Sequence, residues 1–247
     1  TVAAAVEAGR AVVLLGVVEA VASAVAALLL AGEEFMKLEK FIDEAGRKSI
    51  ERAVSSAEAN TSGEIVPVVV SASSSYDWIA YRAAFLGWLA ASVFSMWLHF
   101  YRPFALDYWG VYAFQAGGIL IGWIFSRSRW GLRFLVSENA IAEEVRETAQ
   151  AAFLKNGLMN TRDRTGVLIF VSLKERRVQI LGDKGIHEKV GEGFWQLEAN
   201  QIVAAIRAGR PAEGLVKAIG DIGDKLKIHF PRRADDTNEL SNQMRTE

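Results

Sequence analysis

A small mixed α/β sheet interrupted by a transmembrane helical hairpin, with an apolar helix ahead of it, is the fold class that this 247-residue chain predicts. Three observations carry it. Residues 83–101 and 108–126 are two nineteen-residue runs without Asp, Glu, Lys or Arg, separated only by the link RPFALD at 102–107. Strand-like apolar runs lie on either side of the pair, EIVPVVV at 64–70 and GVLIFVSL at 166–173. Amphipathic helical patterns flank both runs, so the order outside the hairpin reads β-α-β-β-α-α behind a leading helix.

Residues 1–35 are Ala/Val/Leu-rich and broken by Glu19. They predict an apolar helix, with a third membrane span, a packing helix and a fused leader all open. Met36 starts the first part of the polar domain, 36–75, in which 38–58 carries apolar residues at helical spacing through Phe41, Ile42, Ile50 and Val54. That helix stops at Asn60-Thr61-Ser62-Gly63, and Pro67 argues for an edge or irregular position in the strand that follows.

The hairpin is assigned to 76–130, with spans at about 81–101 and 108–126. A nineteen-residue helix is roughly 28 Å long, close to the hydrocarbon thickness of a bilayer. Trp78, Tyr81, Tyr101, Tyr108, Trp109, Trp123 and Trp130 sit toward the span ends as an interfacial belt requires, and Pro103 marks the turn. Arg127, Arg129 and Arg133 follow the second span, so the positive-inside rule puts the hairpin base in the cytoplasm, with these arginines at lipid headgroups. Gly117, Gly118 and Gly122 against Gly87 and Ala91 predict close helix packing, within the hairpin or between copies.

The second part of the domain, 131–230, opens with a helix at 138–155 ended by Gly157. Residues 166–173, apolar on both faces, predict a central strand, and RVQIL at 177–181 its antiparallel neighbour. A loop is expected at 182–185, then helices at about 194–207 and 211–228, the second started by Pro211. Residues 231–247 read as a polar, extended tail.

Composition narrows the function. Mean hydropathy is +0.16, and 28 Lys+Arg against 29 Asp+Glu give no electrostatic reason to expect nucleic acid. Without cysteine there is no disulfide framework, thiol nucleophile or cysteine-bound metal. HExxH and P-loop motifs are also missing.

Three ordered motifs, TSGEIVPVVV at 61–70, DRTGVLIFVSLKERRVQILGDKGI at 163–186 and GLVKAIGDIGDKLKIHFP at 214–231, resemble the TPM domain family. The resemblance covers most of 37–239 and is closest to bacterial integral-membrane members, often encoded beside LemA-type proteins, which end in a similar HFP…DD..NEL segment. It is a family that also includes the photosystem repair proteins of the thylakoid lumen. The resemblance implies either an assembly or repair factor for membrane complexes or an acid phosphatase with bound calcium. The internal hairpin departs from the lumenal members.

Carboxylates near strand ends supply the only metal candidates: Asp163, Asp183, Glu64 and Glu188, for calcium or another divalent cation, with Arg164 or Arg177 placed for an anion. A turn with a surface ion pair at Asp163-Arg164, and a turn-forming role for Asp183 between Gly182 and Gly185, account for these aspartates without a metal. Asp221 and Asp224 read as a solvated helix face, and His187 has no defined partner. The expected function is a membrane-anchored accessory, assembly or stabilising subunit in the bacterial inner membrane, its polar domain cytoplasmic. Expected partners are membrane lipids and a membrane protein, LemA-type by resemblance. A divalent-metal-dependent phosphatase and a homo-oligomeric structural membrane protein are the alternatives.

Overall fold

The computed structural model describes residues 41–74, 76–101, 108–233 and 238–246. The apolar segment 1–35 and the link 102–107 lie outside them. In chain order the elements are α1 (Glu44–Glu58), β1 (Glu64–Val70), α2 (Asp77–Tyr101), α3 (Tyr108–Arg127), α4 (Arg129–Leu135), α5 (Glu138–Lys155), a 3₁₀ turn (Leu158–Asn160), β2 (Gly166–Ser172), β3 (Arg177–Gly182), α6 (Lys184–Val190), α7 (Glu192–Arg207), α8 (Pro211–His229) and β4 (Arg245–Thr246). They divide into two compact units, the inserted Ser75–Glu138 and the flanking Lys37–Ser74 with Asn139–Glu247.

The flanking unit is a mixed α/β fold with a small sheet in the order β3-β2-β1-β4. β1 and β2 run parallel from Glu64↔Gly166 to Val70↔Ser172, and β3 returns antiparallel to β2. Every residue of β1 and β2 is buried, as parallel strands covered on both faces require. Alternation splits them: Val66, Val68, Val70, Leu168 and Phe170 form one cluster with Val145, Ala149, Ala152 and Phe153 of α5 and with Leu158. Helices α1, α7 and α8 pack together on the rest of the unit, with buried Ile50, Val54, Ile202, Leu215, Ile219, Ile222 and Leu226. Phe170 is fully buried in the first cluster. Phe170→Ala should therefore cost about 3–5 kcal/mol, read as a lowered denaturant midpoint at unchanged slope.

Local chemistry explains the boundaries. α1 begins at Glu44, where the Asp43 carboxylate accepts the Gly46 N–H at 2.7 Å and caps the helix; the expected start at 38 lies outside the described residues. Residues 184–190, in part expected as loop, form α6, whose first turn uses the Asp183 carbonyl. The larger difference concerns residues 231–246. Pro231 bridges to Thr61, whose hydroxyl donates to the Phe230 carbonyl at 2.6 Å, and β4 pairs in parallel with β1 at Val68↔Arg245 and Val69↔Thr246. A polar tail thus supplies a strand, and its polarity hid it because side chains, rather than an apolar period, hold it.

Pro67 is thereby explained. The Glu64 N–H points toward β2, donating to Thr165, so the amide positions of Ile65, Pro67 and Val69 point to the other side. Glu58 takes the Ile65 N–H at 2.9 Å, Pro67 has none to offer, and Val69 lies against β4. At the level of Pro67 the strand is an edge.

The inserted unit is an antiparallel pair of helices. Residues Trp78–Tyr101 and Tyr108–Arg127 are each long and apolar enough to cross a membrane, by length and composition, and only 17% and 22% of their apolar windows are buried. Backbones meet where glycine permits: a Cβ at Gly87 would overlap the Gly118 carbonyl, one at Gly118 the Gly87 carbonyl, and one at Gly122 the Ala83 carbonyl. A Cβ at Gly118 would also lie 2.7 Å from Ala91 Cβ, whereas none of the described residues lies within 4 Å of a Cβ at Gly117. Gln115 donates across the pair to Ser92 at 3.1 Å, and Phe94 stacks on Phe114 with ring centroids 5.5 Å apart.

Candidate functional site

Pairing decides which of the expected site residues can cooperate. β1 and β2 start at one end of the sheet, and β3 finishes there, with Val167 opposite Gly182. Glu64, Asp163, Arg164 and Asp183 therefore collect at that end. Arg177 pairs with Ser172 at the opposite end, about 17 Å away at ~3.3 Å per residue. The expected pairing of Arg177 with the two aspartates around an anion is corrected on this point, because antiparallel return carries the start of β3 away from them.

At the acidic end each carboxylate has a local task. Asp163 forms an ion pair with Arg233 at 3.0 Å. Asp183 is buried; one oxygen accepts the Lys184 N–H at 2.6 Å and the other has no hydrogen-bond partner among the described residues. Arg164 takes a left-handed turn conformation, φ 53°, with its N–H on the Thr161 carbonyl. The side chains of Glu188 and His187 lie outside the described residues. Calcium takes about six to eight oxygens, yet among the described residues no three His, Asp or Glu side chains gather around one point. Glu64, Asp163 and Asp183 do not by themselves fit such an ion.

A carboxyl pair that the sequence reading passed over is the most distinctive feature here. Glu58, at the end of α1, is folded back by the 59–63 turn so that its carboxyl meets Glu64. One Glu58 oxygen accepts the Ile65 N–H at 2.9 Å and the other the Asn242 amide at 2.7 Å, while Glu64 accepts the Glu239 N–H at 3.0 Å. Burial, with the charge of Glu64 and its hydrogen bond in addition, pushes the Glu58 carboxyl up to about 8, against the lowering effect of the Ile65 and Asn242 donors. At neutral pH Glu58 keeps its proton, and the two carboxyls share it. The signal available in the sequence was spacing alone, a glutamate ending a helix and another opening the strand after a short turn.

The opposite end carries a closed polar network. Ser172 donates to Glu175 in a very short hydrogen bond, Ser73 donates to the Ser172 hydroxyl at 3.0 Å, and the Ser73 N–H is 3.3 Å from both Glu175 oxygens. Thr148 of α5 bonds the Ser73 carbonyl at 2.9 Å. The Glu175 oxygens are occupied, so this end fastens the strand exit at 71–74 to the β2–β3 turn and to α5. On α7, Glu198 is buried, and burial with the nearby charge of Asp221 raises its carboxyl above the ordinary range, Lys217 partly opposing this. Asp221 is half-buried toward this group and departs from the solvated face expected of it, whereas Asp224 is exposed.

In the inserted unit the Arg127 guanidinium lies 4.0 Å from the Trp123 ring centroid, and Arg133 is exposed. The Arg129 side chain lies outside the described residues. Gly87, Ala91, Gly118 and Gly122 sit at the α2–α3 contact, and Gly117 does not.

Residues 125–225 match the family model described as the TPM domain. β1 and α1 precede the matched stretch, yet β1 completes its sheet. The NMR structure of the BA42 protein from the psychrophilic bacterium Bizionia argentinensis is similar in fold, with a TM-score of 0.53 and 24% identity, covering 85% of this chain and 99% of that one. No curated protein matches the chain.

Proposed function

We propose that the chain is a membrane-anchored accessory subunit, in which the α2–α3 hairpin crosses the bilayer and the TPM domain makes contacts with a membrane complex. The observation that carries this reading is the exposure of the hairpin. Phe100, Tyr108, Trp109 and Tyr81 are each more than three-quarters exposed, and four-fifths of both apolar windows is uncovered by protein. Large aromatic patches of that kind call for lipid or a partner. An open groove of about 580 Å³ along α2, lined by Leu86, Leu89, Ala90, Val93, Phe94 and Trp97, offers a lateral face for a partner's membrane helix.

Further support comes from the point of insertion. A terminal anchor would suffice as a tether, whereas this hairpin interrupts the fold between β1 and α5, both of which contribute to the same core cluster. The arginines at 127, 129 and 133 favour a cytoplasmic base, in the inner membrane of a bacterium. A LemA-type membrane protein is the first partner to test, on the strength of the motif resemblance. A phosphatase reading has no gathered donor set to rest on among the described residues. Assembly through the glycine-rich span must contend with Gly118 and Gly122 being used inside the hairpin.

Native mass spectrometry of chain gently extracted from its own membranes tests the reading. A reproducible larger complex is expected, resistant to carbonate extraction and lost when residues 77–127 are exchanged for an unrelated hairpin. A free chain released by carbonate would refute membrane anchoring, and a carbonate-resistant chain without partners would refute the accessory role.

A further inference from the structure

α3 stops at Arg127, and α4 opens two residues later with Ser128 as the corner between them. The Ser128 hydroxyl donates to the Phe125 carbonyl at 2.7 Å and accepts the Gly131 N–H at 3.0 Å, so one side chain ends the first helix and caps the second. Gly131 lies against Phe125: a Cβ there would come within 2.0 Å of the Phe125 carbonyl oxygen and 3.0 Å of Ser126 Cα. In a straight continuation of α3 the two residues would stand about 9 Å apart along the axis. α4 is therefore folded back beside the base of the hairpin. With Gly131 buried inward, Trp130 and Phe134, four residues apart on one stripe, are each 80% exposed, and Arg133 is exposed next to them.

Two further pairs mark this level of the hairpin. Gly122 backs onto Ala83 and Gly118 onto Gly87, which puts Trp78 level with Arg127 and Arg82 level with Trp123. The Arg82 guanidinium lies 4.6 Å from the Trp78 ring centroid, and that of Arg127 lies 4.0 Å from the Trp123 centroid. Rings and cations on both helices thus share one level, as side chains at a headgroup layer do. Between Asp107 and Glu138 the only charged residues are Arg127, Arg129 and Arg133.

We propose that α4 is an interfacial foot that lies in the headgroup layer at the hairpin base and binds anionic phospholipid. Trp130 and Phe134 insert among the acyl chains, and Arg133 meets the phosphates. This rests on the reading that the α2–α3 hairpin crosses the bilayer. The residues identify the occupant: exposed rings beside a cation, in a run from 108 to 137 without a carboxylate, fit an apolar layer rimmed by negative charge. A straight α3 would carry both rings away from the bilayer, and the Ser128–Gly131 corner returns them to it.

The cysteine-free sequence permits a site-specific test in the full-length chain. A single acrylodan label is placed at Phe134→Cys or, as a control, at Asn200→Cys on the exposed surface of α7. Each chain is reconstituted in vesicles of phosphatidylcholine alone, or of phosphatidylcholine and phosphatidylglycerol in equal parts. Quenching by spin-labelled lipid is compared with quenching by acrylamide from water. The label at 134 is expected to emit to the blue and to be quenched by lipid, and the control to be quenched by acrylamide. The ratio of lipid to aqueous quenching at 134 should rise about fivefold with phosphatidylglycerol, and Arg133→Gln should remove most of that rise. Gly131→Leu, which blocks the fold-back, should move the label into water. A water-exposed label at 134 on a chain that resists carbonate extraction would overturn the foot and leave the anchored hairpin standing, whereas a chain released by carbonate would overturn both. Equal ratios in the two vesicle compositions would overturn the recognition of anionic lipid.

Discussion

Stability of the flanking unit is expected to fall as pH rises from about 4.5 to 8, and Glu58→Gln to flatten that dependence. The folded-state value of Glu58, about 8, lies above the ordinary 4.5. Below 4.5 both folded and unfolded chains hold the proton, and the contribution of the pair is fully present. Between the two values the unfolded chain ionises while the folded one does not, so stability is lost progressively, and above 8 the loss is complete. A full site would lose about 1.4 kcal/mol per pH unit; because Glu58 is only partly buried, the screened total should be about 2–3 kcal/mol. Glutamine still accepts the Ile65 N–H and can donate to Glu64, provided the Asn242 carboxamide turns its oxygen toward the new NH₂ in place of the N–H that Glu58 accepted. Glu58→Gln should therefore be more stable than the wild type at pH 8.5, by about 1–2 kcal/mol. Melts in detergent at pH 5 to 9, followed by a probe in the flanking unit, check this. Parallel wild-type and Glu58→Gln profiles would show that the pair holds no shared proton.

Gly118→Leu is expected to break the α2–α3 contact, whereas Gly117→Leu, one residue away, is expected to leave it intact. A side chain at 118 meets the Gly87 backbone and Ala91, neither of which can yield by rotating a side chain, while the position at 117 is open. Overpacking costs about 1–3 kcal/mol in a core that can adjust, and a backbone obstacle should bring the cost to the top of that range or beyond. Cross-linking between cysteines introduced at Ser92 and Gln115, whose side chains meet across the pair, measures it. The yield should drop severalfold for Gly118→Leu and stay at the parent level for Gly117→Leu. Equal yields would mean that the glycines do not set the helix approach.

Periodicity and length made most elements readable. The bounds of α5 and the start of α3 agree with the sequence, and the two strands, apolar on both faces apart from Glu64 and Ser172 at their ends, pair in parallel. RVQIL returns antiparallel as the short Lys174–Arg176 turn implies. The candidate site was less legible. Its aspartates lie at one end of the sheet as strand-end positions suggested, but Arg177 is at the other. The carboxyl pair that is electrostatically perturbed includes Glu58, a residue that looks like any solvated glutamate on an amphipathic helix.

What the sequence determined by itself is what depends on local pattern: two uncharged nineteen-residue runs that form helices, two strands apolar on both faces, a helix stop at Gly157 and a helix start at Pro211. Tertiary structure alone decided what depends on partners distant in sequence. It returned a polar segment to the edge of β1 across 177 residues (from Val68 to Arg245), pressed two carboxyls together under it, and turned Gly118 inward but Gly117 outward. The physical reason is that burial and shared protons belong to surfaces created by folding, and a side chain's charge or polarity carries no record of which surface will cover it.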